Sequence, residues 1–177
     1  MIIIRISLVV LFLIIIMPSD ICCQTVALPD PPPVYPKIVT YSCFFLPIVS
    51  TSTKTTTWNF SNTYSIGFAA GVNILYSDRF GFSYDMGPVI TTTAGLSKVS
   101  NFIFDPGPIF RFKKGLSLIT RVAFETAGRY GFGTVLAKAF TPAKKNSLFV
   151  AVGMPVRFGN NLPASIGATF FFGIAFK

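Results

Sequence analysis

Histidine does not occur anywhere in the 177 residues. Its absence removes the commonest general base, the usual physiological pH switch and the favoured nitrogen ligand for metals. A serine hydrolase would then need an unusual base such as lysine, and no such pairing stands out; no glycine-rich phosphate loop occurs either. The cysteines are few, Cys22, Cys23 and Cys43, and their spacing suits no metal. No catalytic, cofactor-binding or metal-ligating residue is assigned, no cofactor is expected, and the chain does not read as an enzyme. Acidic residues are also scarce, six against 15 lysines and arginines, for a net charge of +9. Nucleic-acid binding would gather the bases into a patch or stripe, whereas here they are scattered or sit in presumed turns. Nucleic acid is therefore not an expected partner.

Long hydrophobic runs are missing after the first 17 residues, so transmembrane helices of about 20 residues are excluded there. Yet the chain is 51% hydrophobic and 12% charged, with a mean hydropathy of +0.63, too apolar for an ordinary soluble domain. The length allows one domain plus a leader. Twenty phenylalanines and 14 glycines suit strands with aromatic outer faces and small inward residues.

The N-terminus, MIIIRISLVVLFLIIIM, carries Arg5 and then an apolar core from Ile6 to Met17, broken by Pro18 and Ser19. That core is short for a spanning helix and right for a secretory signal, giving a predicted leader over 1–27. Cleavage fits either 27/28, where Thr25 and Ala27 are small, or 23/24, which leaves Gln24 first. An uncleaved anchor and lipidation of Cys22 or Cys23 are alternatives, though Asp20 fits a lipoprotein signal badly. Residues 28–36, LPDPPPVYP, form a stiff proline-rich spacer.

From Lys37 onward the pattern has period two. It is clearest in NFIFDPGPIFRFKKGLSLITRVAFET, Asn101 to Thr126. Phe102, Phe104, Pro106, Pro108, Phe110, Phe112, Leu116, Leu118, Thr120, Val122 and Phe124 share one face; Ile103, Asp105, Gly107, Ile109, Arg111, Ser117, Ile119, Arg121, Ala123 and Glu125 share the other. Two antiparallel strands joined at Lys113-Lys114-Gly115 account for this. Large aromatics on one face and small or charged residues on the other invert the soluble sandwich, and match a barrel with lipid outside.

The same inversion runs through Thr55 to Tyr76, predicted as one long strand, and through Phe80 to Ala94, Phe132 to Phe140, Leu148 to Phe158 and Ala164 to Phe176. Ile38 to Val49 is apolar on both faces and is the least secure strand. The predicted fold is all-β: an antiparallel up-and-down transmembrane barrel of about eight strands over 37–177, narrow enough for side chains to fill its lumen. An even strand count places both termini in the periplasm. Turns at Asp78, Lys114 and Lys144 then lie on that side, and those near Ser52, Ser97, Arg129 and Asn160 face outward. Prolines 88, 106, 108 and 155 oppose regular strands, because each removes a ladder donor.

At RVAFETAGRYGF (Arg121 to Phe132) and PVRFGNNLPASIGATFFFGIAF (Pro155 to Phe176) the chain resembles small outer-membrane β-barrel proteins of Bacteroidetes type, many of them uncharacterised. The resemblance implies a location, the bacterial outer membrane, and a fold, more than an activity. It implies membrane lipids, lipopolysaccharide and the barrel-assembly machinery as partners of a monomer. Phe176, the penultimate residue, resembles the terminal aromatic that this machinery reads, although Lys177 follows it.

Three groups of candidate residues follow. Asp85, Asp105, Arg111, Arg121, Glu125 and Arg157 fall on the lumen face, where burial demands pairing. If Phe112 pairs with Leu116, Asp105 lies diagonal to Arg121, a distance that an arginine can bridge. Arg79, Lys113, Lys114, Lys144, Lys145 and Lys177 would form a basic periplasmic rim, as solvated turn residues or as contacts for anionic headgroups. Lys98, Arg129, Tyr130, Asn160 and Asn161 are the outward-loop contacts. The expected role is structural, adhesive or in envelope maintenance. A narrow channel or small hydrophobic-solute transporter is the alternative, and a lipid-modifying enzyme stands behind both.

Overall fold

The computed structural model describes residues 34–61, 63–140 and 146–176. The leader, Cys22 and Cys23, most of the spacer, Lys144, Lys145 and Lys177 lie outside the described residues.

The strands are β1 (Lys37–Ser52), β2 (Thr56–Trp58), β3 (Thr63–Leu75), β4 (Phe80–Thr93), β5 (Leu96–Arg111), β6 (Leu116–Glu125), β7 (Arg129–Phe140), β8 (Asn146–Gly159) and β9 (Ser165–Phe176). Apart from the short β2, each pairs antiparallel with its chain neighbours, and β1 pairs with β9 along Thr40–Ser52. The sheet is thus a closed barrel of eight long strands, as period two predicts. Closure leaves no long free edge.

Alternation sets the two faces. Phe44, Phe68, Phe80, Phe82, Phe110, Phe124, Phe132, Leu148, Met154 and Phe172 stand exposed on the outside. Cross-strand ring pairs such as Phe44–Phe68 (5.4 Å) and Phe80–Phe110 (5.5 Å) knit this surface. Soluble monomers rarely expose apolar surface on this scale, but lipid as solvent makes it favourable.

Each proline sits where one ladder is interrupted while the other continues. Pro106 and Pro108 stay paired to Tyr84 and Phe82 of β4, yet between β5 and β6 the ladder skips from Phe104↔Phe124 to Ile109↔Ile119. Pro88 stays opposite Phe102, while the β3–β4 ladder skips from Gly67↔Val89 to Ala70↔Met86. Pro155 stays opposite Gly133 and interrupts β8–β9. Pro47 lies at the β1–β9 bulge. Residues of one parity direct their N–H groups to one neighbour, so a proline costs a single ladder bond. The register is the same on both sides of the β5–β6 gap.

Three boundaries differ from the sequence expectation. The long strand over 55–76 is broken after Trp58: Phe60 has φ 71°, and the Asn59 amide bonds both backbone groups of Ser65, at 2.7 and 2.8 Å. That side chain replaces a stretch of β1–β3 ladder that ends at Phe45↔Gly67. The turn placed near Ser97 lies at Ala94-Gly95, both with positive φ, as a two-residue hairpin needs. Strand β5 therefore starts at Leu96, and a bulge leaves Ser100 unpaired between Val99 and Asn101. The extra residue shifts the alternation by one, which hides this part of the strand from a period-two pattern. Finally, β7 starts at Arg129, because the turn is the tighter Thr126–Gly128, closed by Gly128 N–H donating to the Glu125 carbonyl.

Candidate functional site: a polar layer across the lumen

The lumen face is not uniformly small. Val39, Tyr41, Cys43 and Phe45 of β1 point inward and are buried, and Phe149 and Phe171 join them. Space for these rings comes from glycines on adjacent strands. A Cβ on Gly67 would strike the Phe45 ring, on Gly71 the Tyr41 ring, on Gly153 the Phe171 ring and on Gly173 the Phe149 ring. Tyr41 and Phe149 meet edge to face at 5.9 Å, and Phe45 lies 5.9 Å from Phe171. Large residues outside and small or polar ones inside therefore describe most of β3 to β7, apart from Leu75, Ile109 and Ile119 at the terminal end, but not β8, β9 and β1.

The charged groups project from the other arc. Arg121 of β6 crosses the lumen: its Nη1 lies 2.6 Å from Asp85 Oδ2, and its Nη2 donates to Tyr41 Oη (2.7 Å) and Ser83 Oγ (2.8 Å). Tyr41 in turn donates to Asp85 at 2.9 Å. Four side chains from β1, β4 and β6 thus close one layer, with Arg121 only 6% exposed and Ser83 fully buried. Each charge gains both a counter-ion and hydrogen bonds, which is what burial of an ion pair requires.

The β5–β6 register is the one in which Phe112 meets Leu116, whose carbonyl accepts from Phe112 N–H at 2.8 Å. Arg121 nevertheless pairs with Asp85 and not with Asp105, a correction to the diagonal pairing expected above. The reason is reach. Strands β5 and β6 lie close together at Gly107, where a Cβ would lie 2.0 Å from the Thr120 carbonyl oxygen. The long Arg121 side chain passes over β5 to β4, where Asp85, Ser83 and Tyr41 all receive it. Asp105 stands directly opposite Asp85, and its Oδ1 is buried without a hydrogen-bond partner among the described residues.

A second ion pair joins Arg157 Nε to Glu125 Oε1 at 2.6 Å, and Asn101 donates to the other Glu125 oxygen at 2.6 Å. Arg111 lines the lumen but has no salt bridge among the described residues. Arg129 is not an outward-loop contact. It is part-buried at the first position of β7, where Nη2 donates to the carbonyls of Arg157 and Pro163 and to Ser165 Oγ. Lys98 is exposed within β5, opposite Thr91, and Tyr130 faces outward against Phe158, 6.2 Å away. Asn160 and Asn161 form the turn after β8 with φ 57° and 54°.

A lumen filled by side chains throughout is also not what is found. A cavity of about 350 Å³ lies on the side of the β4–β5 and β8–β9 turns, the distal side. Another of about 290 Å³ lies on the side of the strand termini. Asp85, Arg121, Val135 and Phe171 line both, so the Arg121 layer, with these two apolar side chains beside it, forms the partition. The distal cavity is lined by Asp105, Glu125, Arg129, Arg157, Ser65 and Asn101 among others. The terminal cavity borders the apolar cluster of Val39, Leu75, Ile109 and Ile119, against which Tyr35 packs from below. Tyr35 donates to Asp78 in the β3–β4 turn, and this hydrogen bond raises the Tyr35 phenol above its ordinary pKa.

Arg79, Lys113 and Lys114 sit at or beside the two described turns of the terminal end, and Lys138 donates to the Lys114 carbonyl at 2.6 Å. Sequence reasoning missed Tyr41 as the partner of Arg121. The signal was available: in the β1–β3 register Tyr41, Cys43 and Phe45 oppose Gly71, Ala69 and Gly67, bulk against small residues at every second position.

No protein-family model matches the sequence, and no curated protein matches it either. Solved structures do match in fold. Neisserial surface protein A (NspA) aligns over 79% of this chain and 96% of its own, with a TM-score of 0.57 and 9% identity. Ail, the attachment invasion locus protein of Yersinia pestis, aligns over 78% and 97%, with a TM-score of 0.51 and 10% identity. A transmembrane β-barrel designed de novo aligns over 78% and 92%, with a TM-score of 0.51 and 11% identity. The chain has the fold of the small eight-stranded outer-membrane barrels. The sequence resemblance is met at that level, and these neighbours do not single out a Bacteroidetes type. A designed barrel among them underlines that this fold by itself specifies no activity.

Proposed function

We propose that the protein is an integral outer-membrane barrel of the bacterial envelope, monomeric and closed to flow by the Arg121 layer, with a structural, adhesive or envelope-maintenance role. The observation that carries this is the combination of an apolar exterior with a lumen crossed by a buried, hydrogen-bonded ion pair. Membrane lipids would contact the phenylalanine belt, with the termini and the basic residues Arg79, Lys113 and Lys114 on the periplasmic side. Lipopolysaccharide would meet the opposite end, and the barrel-assembly machinery would read the C-terminal aromatic strand.

The distal end favours the adhesive role within this set. The turns there are short, but β4 and β5 project beyond the barrel rim, where Leu96 to Ser100 are all exposed. Hydroxyl pairs such as Thr91–Ser100 and Thr92–Ser97, both at 2.8 Å, stiffen this projection. Exposed Leu96 and Val99 on this projection, with exposed Trp58 and Phe60 in and after β2, give the distal end a sticky polar-aromatic surface. The name of one fold neighbour, an attachment protein, agrees with such a use.

A narrow channel or small-solute transporter is the second reading. It is favoured by one observation, that a single layer separates two cavities.

Fractionation tests the main reading. The mature protein should run in the outer-membrane fraction and migrate faster in cold detergent than after boiling. Recovery as a soluble periplasmic species with heat-independent mobility would overturn it.

A further inference from the structure

The distal chamber keeps one acidic and one basic side chain without a salt-bridge partner among the described residues. Its lining includes Asp85, Asp105, Glu125, Arg121, Arg129 and Arg157. Arg121 is spent on Asp85, and Arg157 on Glu125. Among the described residues this leaves one carboxylate, Asp105, and one guanidinium, Arg129, without a counter-ion. The Asp105 carboxylate makes no side-chain hydrogen bond to the described residues; its Oδ1 is sealed by neighbouring atoms, whereas Oδ2 is not. Arg129 spends Nη2 on two carbonyls and the Ser165 hydroxyl, and its Nε is sealed. Its Nη1 has no partner among the described residues and is not sealed. Each group therefore keeps one terminal atom free on the wall of one chamber.

Burying an isolated charge is costly unless an opposite charge or a ligand meets it. The two free charges also differ in depth. Asp105 lies beside the Arg121 layer, directly across from Asp85, and Arg129 is held near the mouth by the Pro163 carbonyl. A free cation entering the chamber would pass Arg129, and a free anion would end against Asp105. Only a solute carrying both signs matches both groups. At about 350 Å³ the chamber is at the small end of ligand cavities.

We propose that the distal chamber is a binding site for a small zwitterion, a short amino-carboxylate that enters ammonium first. Its ammonium meets Asp105 Oδ2 and its carboxylate meets Arg129 Nη1. The site requires the barrel fold and the Arg121 floor, but neither adhesion nor conduction, so it stands apart from the role proposed above.

The test uses the full mature barrel in detergent micelles, with cold-detergent gel mobility confirming that every variant is folded. Glycine, β-alanine and γ-aminobutyrate are titrated by calorimetry at low salt, with acetate and ethylammonium as single-charge controls. At least one zwitterion should bind saturably and raise the melting temperature, while neither control does so at equal concentration. Asp105→Asn and Arg129→Gln should each weaken that binding by roughly tenfold or more, the loss of one charged contact. Lys98→Gln, on the exposed flange, should leave it unchanged. Asp105→Asn should also melt no lower than the parent without ligand, because the side chain it replaces has no salt-bridge or hydrogen-bond partner among the described residues. The proposal is overturned if no zwitterion of the panel binds the folded barrel, if acetate or ethylammonium binds equally well, or if both variants bind like the parent.

Discussion

Two arcs of the same wall fill the lumen in opposite ways. From β4 to β6 the inward residues around mid-barrel are short or charged, Ser83, Asp85, Asp105, Arg121 and Glu125, with Ile109 and Ile119 toward the terminal end. From β8 through β9 to β1 they include four rings, Tyr41, Phe45, Phe149 and Phe171, each seated over a glycine of a neighbouring strand. The first arc is held by ion pairing and the second by shape. They meet at one atom, Tyr41 Oη, which accepts from Arg121 and donates to Asp85. Closing a narrow barrel thus takes a rigid ring to hold the end of a flexible guanidinium. The price of the arrangement is precision in both arcs.

Substitutions can break that correspondence in order of cost. Arg121→Ala removes the shared partner and leaves Asp85 buried without a counter-ion, so it should destabilise the barrel by about 3–5 kcal/mol. Thermal melting followed by cold-detergent mobility reads this, and an unchanged melting temperature would show that the layer is not holding the arcs together. Gly71→Val leaves every charge in place but drives a side chain into the Tyr41 ring. It should cost about 1–3 kcal/mol by overpacking. A cost comparable to that of Arg121→Ala would show that the ring arc, not the ion pair, dominates. Glu125→Gln keeps the hydrogen-bonding shape and removes one charge from a pair nearer the rim, with side chains 13% and 11% exposed. Its effect should be the smallest, about 1 kcal/mol.

The two arcs were not equally legible in the sequence. Strands β4 to β7 were readable because their outward residues are large and most of their inward ones are small, polar or charged, so hydrophobicity alternates. Phe102 to Phe112 and Leu116 to Phe124 gave even the register that the structure has. Strand β1 carries Val39, Tyr41, Cys43 and Phe45 inward but also Ile38 and Phe44 outward, so large apolar residues stand on both faces and hydrophobicity alone orients it poorly. Its facing is decided across strands, by Gly67 and Gly71 opposite Phe45 and Tyr41, and that information appears only once β1 and β3 are aligned. The Arg121 partner was hidden for a related reason. A pairwise rule looks to the adjacent strand, whereas Arg121 passes over β5 to the site on β4 and β1 that offers it several acceptors. The Ala94-Gly95 turn escaped notice because the strand beyond it projects past the lipid zone, where alternation has no cause.

The central claim is that one layer, Arg121 with Asp85, Tyr41 and Ser83, separates two chambers that would otherwise be continuous. Conductance of the purified barrel in planar bilayers tests it most directly. The parent protein should be silent, and Arg121→Ala, checked for cold-detergent mobility, should show small steady currents as the chambers join. Steady conductance from the parent protein would contradict the claim.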